Sequence, residues 1–188
     1  WRTTHRPHVP MPPPVIRPAP KKGYQPEGIV IHHSETPGKV GKIVVNAARI
    51  NEMHKHSHPD WARQFEGKTY YIGYHYVILP DGTVEAGRPE LCVGSHAKHH
   101  NNWLGICLVG AFSRHDKHKW EPSQPTTAQK QALVKLCAKM IRKYEIPLDH
   151  VKRHSDVWQT WCPGERFPYS EIMADIRLEL SRAPLPTH

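Results

Sequence analysis

The chain has 188 residues, a formal net charge of +9 at pH 7 and a pI near 9.5, which fits one domain of ordinary size that buries a core without relying on disulfides. No apolar run approaches the ~20 residues of a membrane span. The excess of base points to an anionic partner, either nucleic acid or a bacterial wall carrying carboxylates and teichoic phosphates, unless it serves solubility alone.

Residues 1–22 are rich in Pro and basic side chains, contain no acid and include Pro12-Pro13-Pro14. They read as an extended, polyproline-like arm that cannot build a core, a passive spacer rather than a wall contact or a tether to another module. The start at Trp1 rather than Met reads as a mature or trimmed form. A globular unit over 23–182 follows, and 183–188 form a tail. Gly28 to His33 is apolar enough for a buried strand, and Val44 to Lys55 carries Ala47, Ile50 and His54 at helical spacing. The tract His54-Lys55-His56-Ser57-His58 ends at Pro59 and reads as a solvated helix end rather than a metal site. Asp60 to Tyr71 holds Trp61, Phe65, Tyr70 and Tyr71, suited equally to a groove wall or to packing a loop on the core. Tyr74 to Leu79 reads as a second strand, and Pro80-Asp81-Gly82 turns it into Thr83-Val84-Glu85 as a hairpin. Leu104 to Val109 is near-continuously apolar, as an interior strand should be. Thr126 and Gln129 frame a capping box, with Leu133, Leu136, Cys137, Met140 and Tyr144 following at helical spacing. A last helix starts at Ser170 and buries Ile172 and Ile176. The expected fold is a single α/β domain with a central mixed sheet flanked by helices.

The chemistry concentrates near the end. His154-Ser155-Asp156-Val157-Trp158-Gln159-Thr160-Trp161-Cys162 sets an imidazole and a thiol eight positions apart, in a stretch without helical periodicity. A hydrolytic zinc site takes three protein ligands and leaves the fourth tetrahedral position to water. The strand ending in His32-His33 can supply a third, because strand alternation lets only one of the two enter a given site. Taking His32 with His154 and Cys162 gives a His2Cys set. The spacing alone is a weak signal in a chain with 16 histidines.

Four further segments follow in order: Gly73-Tyr74-His75-Tyr76, Asp81-Gly82-Thr83-Val84-Glu85-Ala86-Gly87-Arg88, Val93-Gly94-Ser95-His96-Ala97-Lys98 and Leu104-Gly105-Ile106-Cys107-Leu108-Val109-Gly110. With them the chain, from about Gly28 to about Ile176, resembles the type 2 zinc N-acetylmuramoyl-L-alanine amidases, which include phage lysozyme-type amidases and animal peptidoglycan recognition proteins. The resemblance implies one zinc ion on His32 rather than His33, with His154 and Cys162. It implies Tyr74 as the catalytic tyrosine, placed to hydrogen-bond the attacking water or the developing oxyanion. It puts His96 and Asn102 where the family lines its substrate groove; His99 and His100, from the sequence alone, read as loop residues. Two residues before the Cys, phage enzymes carry a Lys that polarises the scissile carbonyl. Here stands Thr160, as in many active animal members, and a hydroxyl donates a hydrogen bond but no positive charge.

The function so implied is hydrolysis of the amide between N-acetylmuramic acid and L-alanine of the stem peptide by a metal-activated water. The partners are peptidoglycan or muropeptides rather than nucleic acid, for which the chain has neither a zinc-finger ligand pattern nor an aromatic RNA-binding strand. A monomer is the default. The alternative is a non-catalytic peptidoglycan-binding module, against which Cys162 argues, because such modules commonly lack it. The substrate implies secretion, periplasmic export or release as a phage endolysin. Cys107 and Cys137 read as buried small hydrophobes, and the sequence names no disulfide partner for Cys92.

Overall fold

The structure is a computed structural model that describes residues 24–182, so the expected arm and tail lie outside the described residues. In chain order the elements are β1 (Ile29–His33), β2 (Lys39–Val40), β3 (Ile43–Val44), α1 (Ala47–Ser57), β4 (Arg63–Phe65), β5 (Lys68–Tyr70), β6 (Tyr76–Ile78), β7 (Val84–Ala86), β8 (Leu104–Leu108), α2 (Thr127–Tyr144), β9 (Val151–Arg153), α3 (His154–Val157) and α4 (Tyr169–Ser181). Five strands form the central sheet in the order β7-β6-β8-β1-β9. β1 runs parallel to β8 and β9, β6 runs parallel to β8, and β7 is antiparallel at the edge. This is the mixed α/β sheet with flanking helices that the element pattern calls for.

Alternation along the strands divides the sheet into two unlike faces. Ile29 and Ile31 of β1, Leu104, Ile106 and Leu108 of β8 and Ile78 of β6 pack with Leu133, Cys137 and Met140 of α2 and Ile172 and Ile176 of α4. Each fully buried aliphatic side chain there contributes roughly 1.5–3 kcal/mol. Val77, Leu79 and Val109 face the other way, onto Val45, Ala47, Ile50 and Ile72 around α1. β1 is buried along its whole length, so its two histidines enter the interior with it.

α2 begins where the capping box predicts. Thr126 Oγ1 accepts from the Gln129 N–H at 3.0 Å, and Gln129 Oε1 accepts from the Thr126 N–H at 3.1 Å. The fully buried Gln129 amide also donates to the carbonyls of Ile78 and Val109, tying the helix start to β6 and β8. The β6–β7 hairpin forms as expected, with Gly82 at φ +88° where a side chain would be strained. α4 starts one residue before the expected Ser170 and fully buries Ile172 and Ile176.

Three expectations change. The first helix starts at Ala47, not Val44, because the Asn46 side chain accepts from the Arg49 N–H, while Ile43 and Val44 pair with β2 instead. The second strand is regular only over Tyr76–Ile78. The segment after His154 opens with a four-residue helix, too short to show periodicity. Of the aromatics in 60–71, Phe65 is buried and Tyr70 packs against the α1-side core, so part of this segment serves packing.

Candidate metal and catalytic centre

β1 and β9 end side by side. Their last paired rung joins Ile31 to Arg153, so His32 and His154 both emerge at the carboxyl ends of parallel strands, where open α/β sheets place their sites. The two rings stand 4.5 Å apart between centroids. Asp156 fixes the start of α3 by accepting from the Arg153 N–H and guanidinium. The Ser155 N–H donates to the Cys162 carbonyl at 2.8 Å, which folds the loop back and returns the thiol to the histidines. Cys162 Sγ lies 3.7 Å from His32 Nδ1 and accepts from the His33 N–H. One donor atom each from His32, His154 and Cys162 lies within 4.8 Å of the others.

The electrostatics suit a cation. Burial holds His32 well below the usual histidine range, helped by neighbouring His96 and His154, and burial alone lowers His154 to about 4. Both rings are therefore neutral at pH 7 and offer lone pairs. Burial pushes the Cys162 thiol up to about 12, against the pull of the His33 N–H. A thiolate there requires a positive charge close by. Two imidazole nitrogens and one sulfur, with a fourth tetrahedral position to spare, form a donor set that fits zinc.

Among the described residues a second trio, His33, Glu35 and Asp116, also brings donor atoms within 4.8 Å. His33 Nδ1, however, accepts from the Phe112 N–H at 3.0 Å. The neutral ring then carries its proton on Nε2, so neither nitrogen has a lone pair for a cation. β1 thus turns His32 toward the first trio and His33 toward the α2 side of the sheet.

Tyr74 stacks at a tilt against His32, with ring centroids 5.1 Å apart, and against His54 at 5.5 Å. Burial, with the Cys107 and Cys162 thiols adding to it, drives its pKa well above 10, so it remains a proton donor. The Thr160 hydroxyl accepts from the Cys162 N–H at 3.2 Å and keeps its own O–H free to donate. His96 lies against His32, with its Nδ1 2.9 Å from His32 Nε2 and its Nε2 2.8 Å from the Trp103 carbonyl. Both of its nitrogens are thereby engaged within the protein. Asn102 is half-buried, and its backbone carbonyl accepts from the Tyr24 hydroxyl. Its neighbour Asn101 orders the loop by accepting from the His96 and Ala97 N–H groups.

The N-acetylmuramoyl-L-alanine amidase family model matches residues 22–165. The chain belongs to this family. It is 47% identical over 94 residues to the endolysin of Enterobacteria phage T3, a match covering 50% of this chain and 59% of that protein. It is 30% identical over 112 residues to peptidoglycan recognition protein 1 of Bos taurus, covering 55% and 56% of the two chains. Among solved structures, the endolysin amidase LysCS of Clostridium intestinale URNW superposes with a TM-score of 0.62 at 34% identity, covering 82% of this chain and 85% of that one. The matches to curated relatives span about six-tenths of the phage protein's length.

Within this amidase-family frame the structure adds residues that motif reading passed over. Cys107 is fully buried opposite His32 in the β1–β8 register, so it lies at the centre rather than serving only as apolar filler. His54 is not solvated. Its Nδ1 accepts from the Gly73 N–H at 3.1 Å, and its ring packs on Trp61 as well as Tyr74. The fully buried Arg88 donates to the carbonyls of Ile72, Val93 and Trp61 and to Ser95 Oγ, joining the loops around the centre. Trp158 and Trp161, on the ligand loop itself, are 43% and 65% exposed. Lys98 Nζ sits 5.0 Å above Trp158, and His115 stacks on Trp161 at 3.8 Å. Cys92, Cys107, Cys137 and Cys162 are all free thiols. No helix among the described residues is long and apolar enough to cross a membrane.

Proposed function

We propose that this domain is a zinc-dependent peptidoglycan hydrolase that cleaves the amide between N-acetylmuramic acid and L-alanine of the stem peptide. The observation that carries the reading is the convergence of His32, His154 and Cys162 within 4.8 Å beside a phenol that stays protonated. A zinc ion held by those three side chains would supply Lewis acidity toward the amide carbonyl and lower the pKa of a water at the fourth position to about 7. The chain's own groups do the remaining work. Tyr74 directs an O–H toward the oxygen on which charge develops, and Thr160 offers a second, weaker donor. No lysine stands at position 160 to add positive charge. The exposed indoles of Trp158 and Trp161 present flat apolar faces beside the ligands, suited to sugar rings. The +9 charge suits a wall rich in carboxylates and phosphates. On this reading the protein acts on the cell wall, outside the cytoplasmic membrane, whether secreted, exported to a periplasm or released as an endolysin.

Digestion of purified peptidoglycan tests the proposal, with zinc-loaded protein beside chelated protein and Cys162→Ala, and products identified by mass. Stem peptides with free L-Ala amino termini are expected from the first sample and from neither of the others. Peptidoglycan bound but left uncut by the zinc-loaded protein would make the domain a recognition module instead.

A further inference from the structure

The hydrogen bonds behind His32 begin at a group that can act in only one way. The Trp103 carbonyl is an acceptor, so His96 Nε2, 2.8 Å away, must carry a proton. In a neutral ring Nδ1 is then bare and can only accept. His32 Nε2, 2.9 Å from that nitrogen, must therefore donate, which leaves the lone pair of His32 on Nδ1. Nδ1 is the atom that lies 3.7 Å from Cys162 Sγ.

From this we infer that His96 is a positioning residue that fixes the ring tautomer and orientation of His32, so that Nδ1 is presented to the His154 and Cys162 donors. The inference rests on reading those three residues as zinc ligands. The packing supports it independently. A Cβ on Gly105 would lie 2.6 Å from His96 Cγ, and one on Gly94 would lie 2.5 Å from His96 Cδ2. Two bare backbones thus admit the ring and stop it from turning. Asn101 holds the His96 main chain from the other side, accepting its N–H at 2.8 Å. The His96 ring meets His32 edge-on at 89°, a geometry that aims its nitrogen rather than its face at the partner. With both nitrogens committed, His96 acts through His32 and not on substrate.

Long-range proton–nitrogen spectra of 15N-labelled, metal-stripped protein at neutral pH read the tautomers directly, and chelator competition reads zinc affinity. The parent is expected to carry its protons on Nε2 of both His32 and His96. His96→Leu should leave His32 a tautomer mixture and weaken zinc binding by about 10–100-fold. His96→Gln, whose amide keeps one acceptor and one donor, should recover most of that loss. Gly105→Ala should weaken zinc binding without altering either ring's chemistry. A parent with the His32 proton on Nδ1, or zinc affinity within twofold of the parent in both His96→Leu and Gly105→Ala, would overturn the inference. A parent showing the expected tautomers but binding no zinc would overturn the zinc reading while upholding the tautomer assignment.

Discussion

The two faces of the central sheet are built on opposite principles. Toward α2 and α4 the strands present Ile29, Ile31, Ile78, Leu104, Ile106 and Leu108, and apart from the buried His33 at the end of β1 the space is filled by apolar side chains whose burial is indifferent to pH and to bound ions. Toward α1 the same strands present His32 and Cys107, and the loops beyond them add His75, His96, Tyr74 and the buried Arg88. There each polar group needs a specific partner, because an unpaired one costs about 1–3 kcal/mol and a charged one more. The first face supplies stability and the second spends part of it on arrangement. Substitutions on the two faces should therefore separate folding from function.

The largest loss of stability is expected at Arg88. Its guanidinium is 1% exposed and donates to three carbonyls and a hydroxyl drawn from three loops. Arg88→Met leaves those acceptors unsatisfied, and a cost of about 3–5 kcal/mol in denaturant unfolding is expected, accompanied by weaker zinc binding. A loss below about 1 kcal/mol would mean that the loops are held by other contacts and that the polar face costs little stability.

Tyr74→Phe sharpens the contrast from the catalytic side. Removing one directed donor to a developing oxyanion typically costs about 10²–10³ in turnover. The variant should retain zinc affinity and thermal stability near the parent's, since the ring keeps its packing on His32 and His54 and loses only its hydroxyl. Thr160→Val should cost less, because part of that hydroxyl's capacity already serves the Cys162 N–H. Turnover of Tyr74→Phe within a few-fold of the parent would remove Tyr74 from the chemistry.

Acid should find the same division. His75 is fully buried, its Nδ1 accepts from the Gly105 N–H at 2.9 Å and its Nε2 donates to the Cys92 carbonyl at 2.7 Å. Burial lowers it to about 4, Arg88 pressing the same way and Glu90 and the Cys92 carbonyl opposing. Protonation in place would destroy the Gly105 bond. Because the folded value lies below the unfolded value of about 6.5, the unfolded chain binds the extra proton between them. The stabilisation is complete above about pH 6.5, is lost as pH falls toward 4, and amounts to on the order of 3 kcal/mol. Urea midpoints across pH 7 to 4 should fall in the parent and fall less in a His75 variant that still folds.

How far the sequence discloses this arrangement follows the same line. The aliphatic face is written locally: the run Ile29-Val30-Ile31, the capping pair Thr126 and Gln129, and the helical spacing of Leu133, Cys137 and Met140 each signal their element within a few residues. Of the donor trio only His32 closes an apolar run; His154 and Cys162 stand out only beside the motifs that carry the family resemblance, because their spacing alone is weak in a chain with 16 histidines. The relation of His96 to His32 is not, since 64 residues separate them and only the parallel register of β1 with β8 brings the loop over. Cys107 looks like apolar filler until that register sets it opposite His32. Nothing local marks Arg88 as buried, and only the loops folding over it make it so. Val44 misleads for a local reason, because a β-branched residue before Asn46 fits a strand end as well as a helix start.

The smallest predicted effect isolates the aliphatic side. Thr126→Ala removes the acceptor for the Gln129 N–H and the donor to the Pro80 carbonyl, and should cost about 1 kcal/mol, typical of a lost N-cap. Gln129 can still hold the carbonyls of Ile78 and Val109, so β6 and β8 should keep their register and His32 its neighbours. Zinc affinity and turnover are therefore expected to match the parent's at temperatures where both proteins are folded. A variant that lost zinc affinity along with that kilocalorie would show that strain crosses the sheet, and that the two faces form one cooperative unit rather than a scaffold and a site.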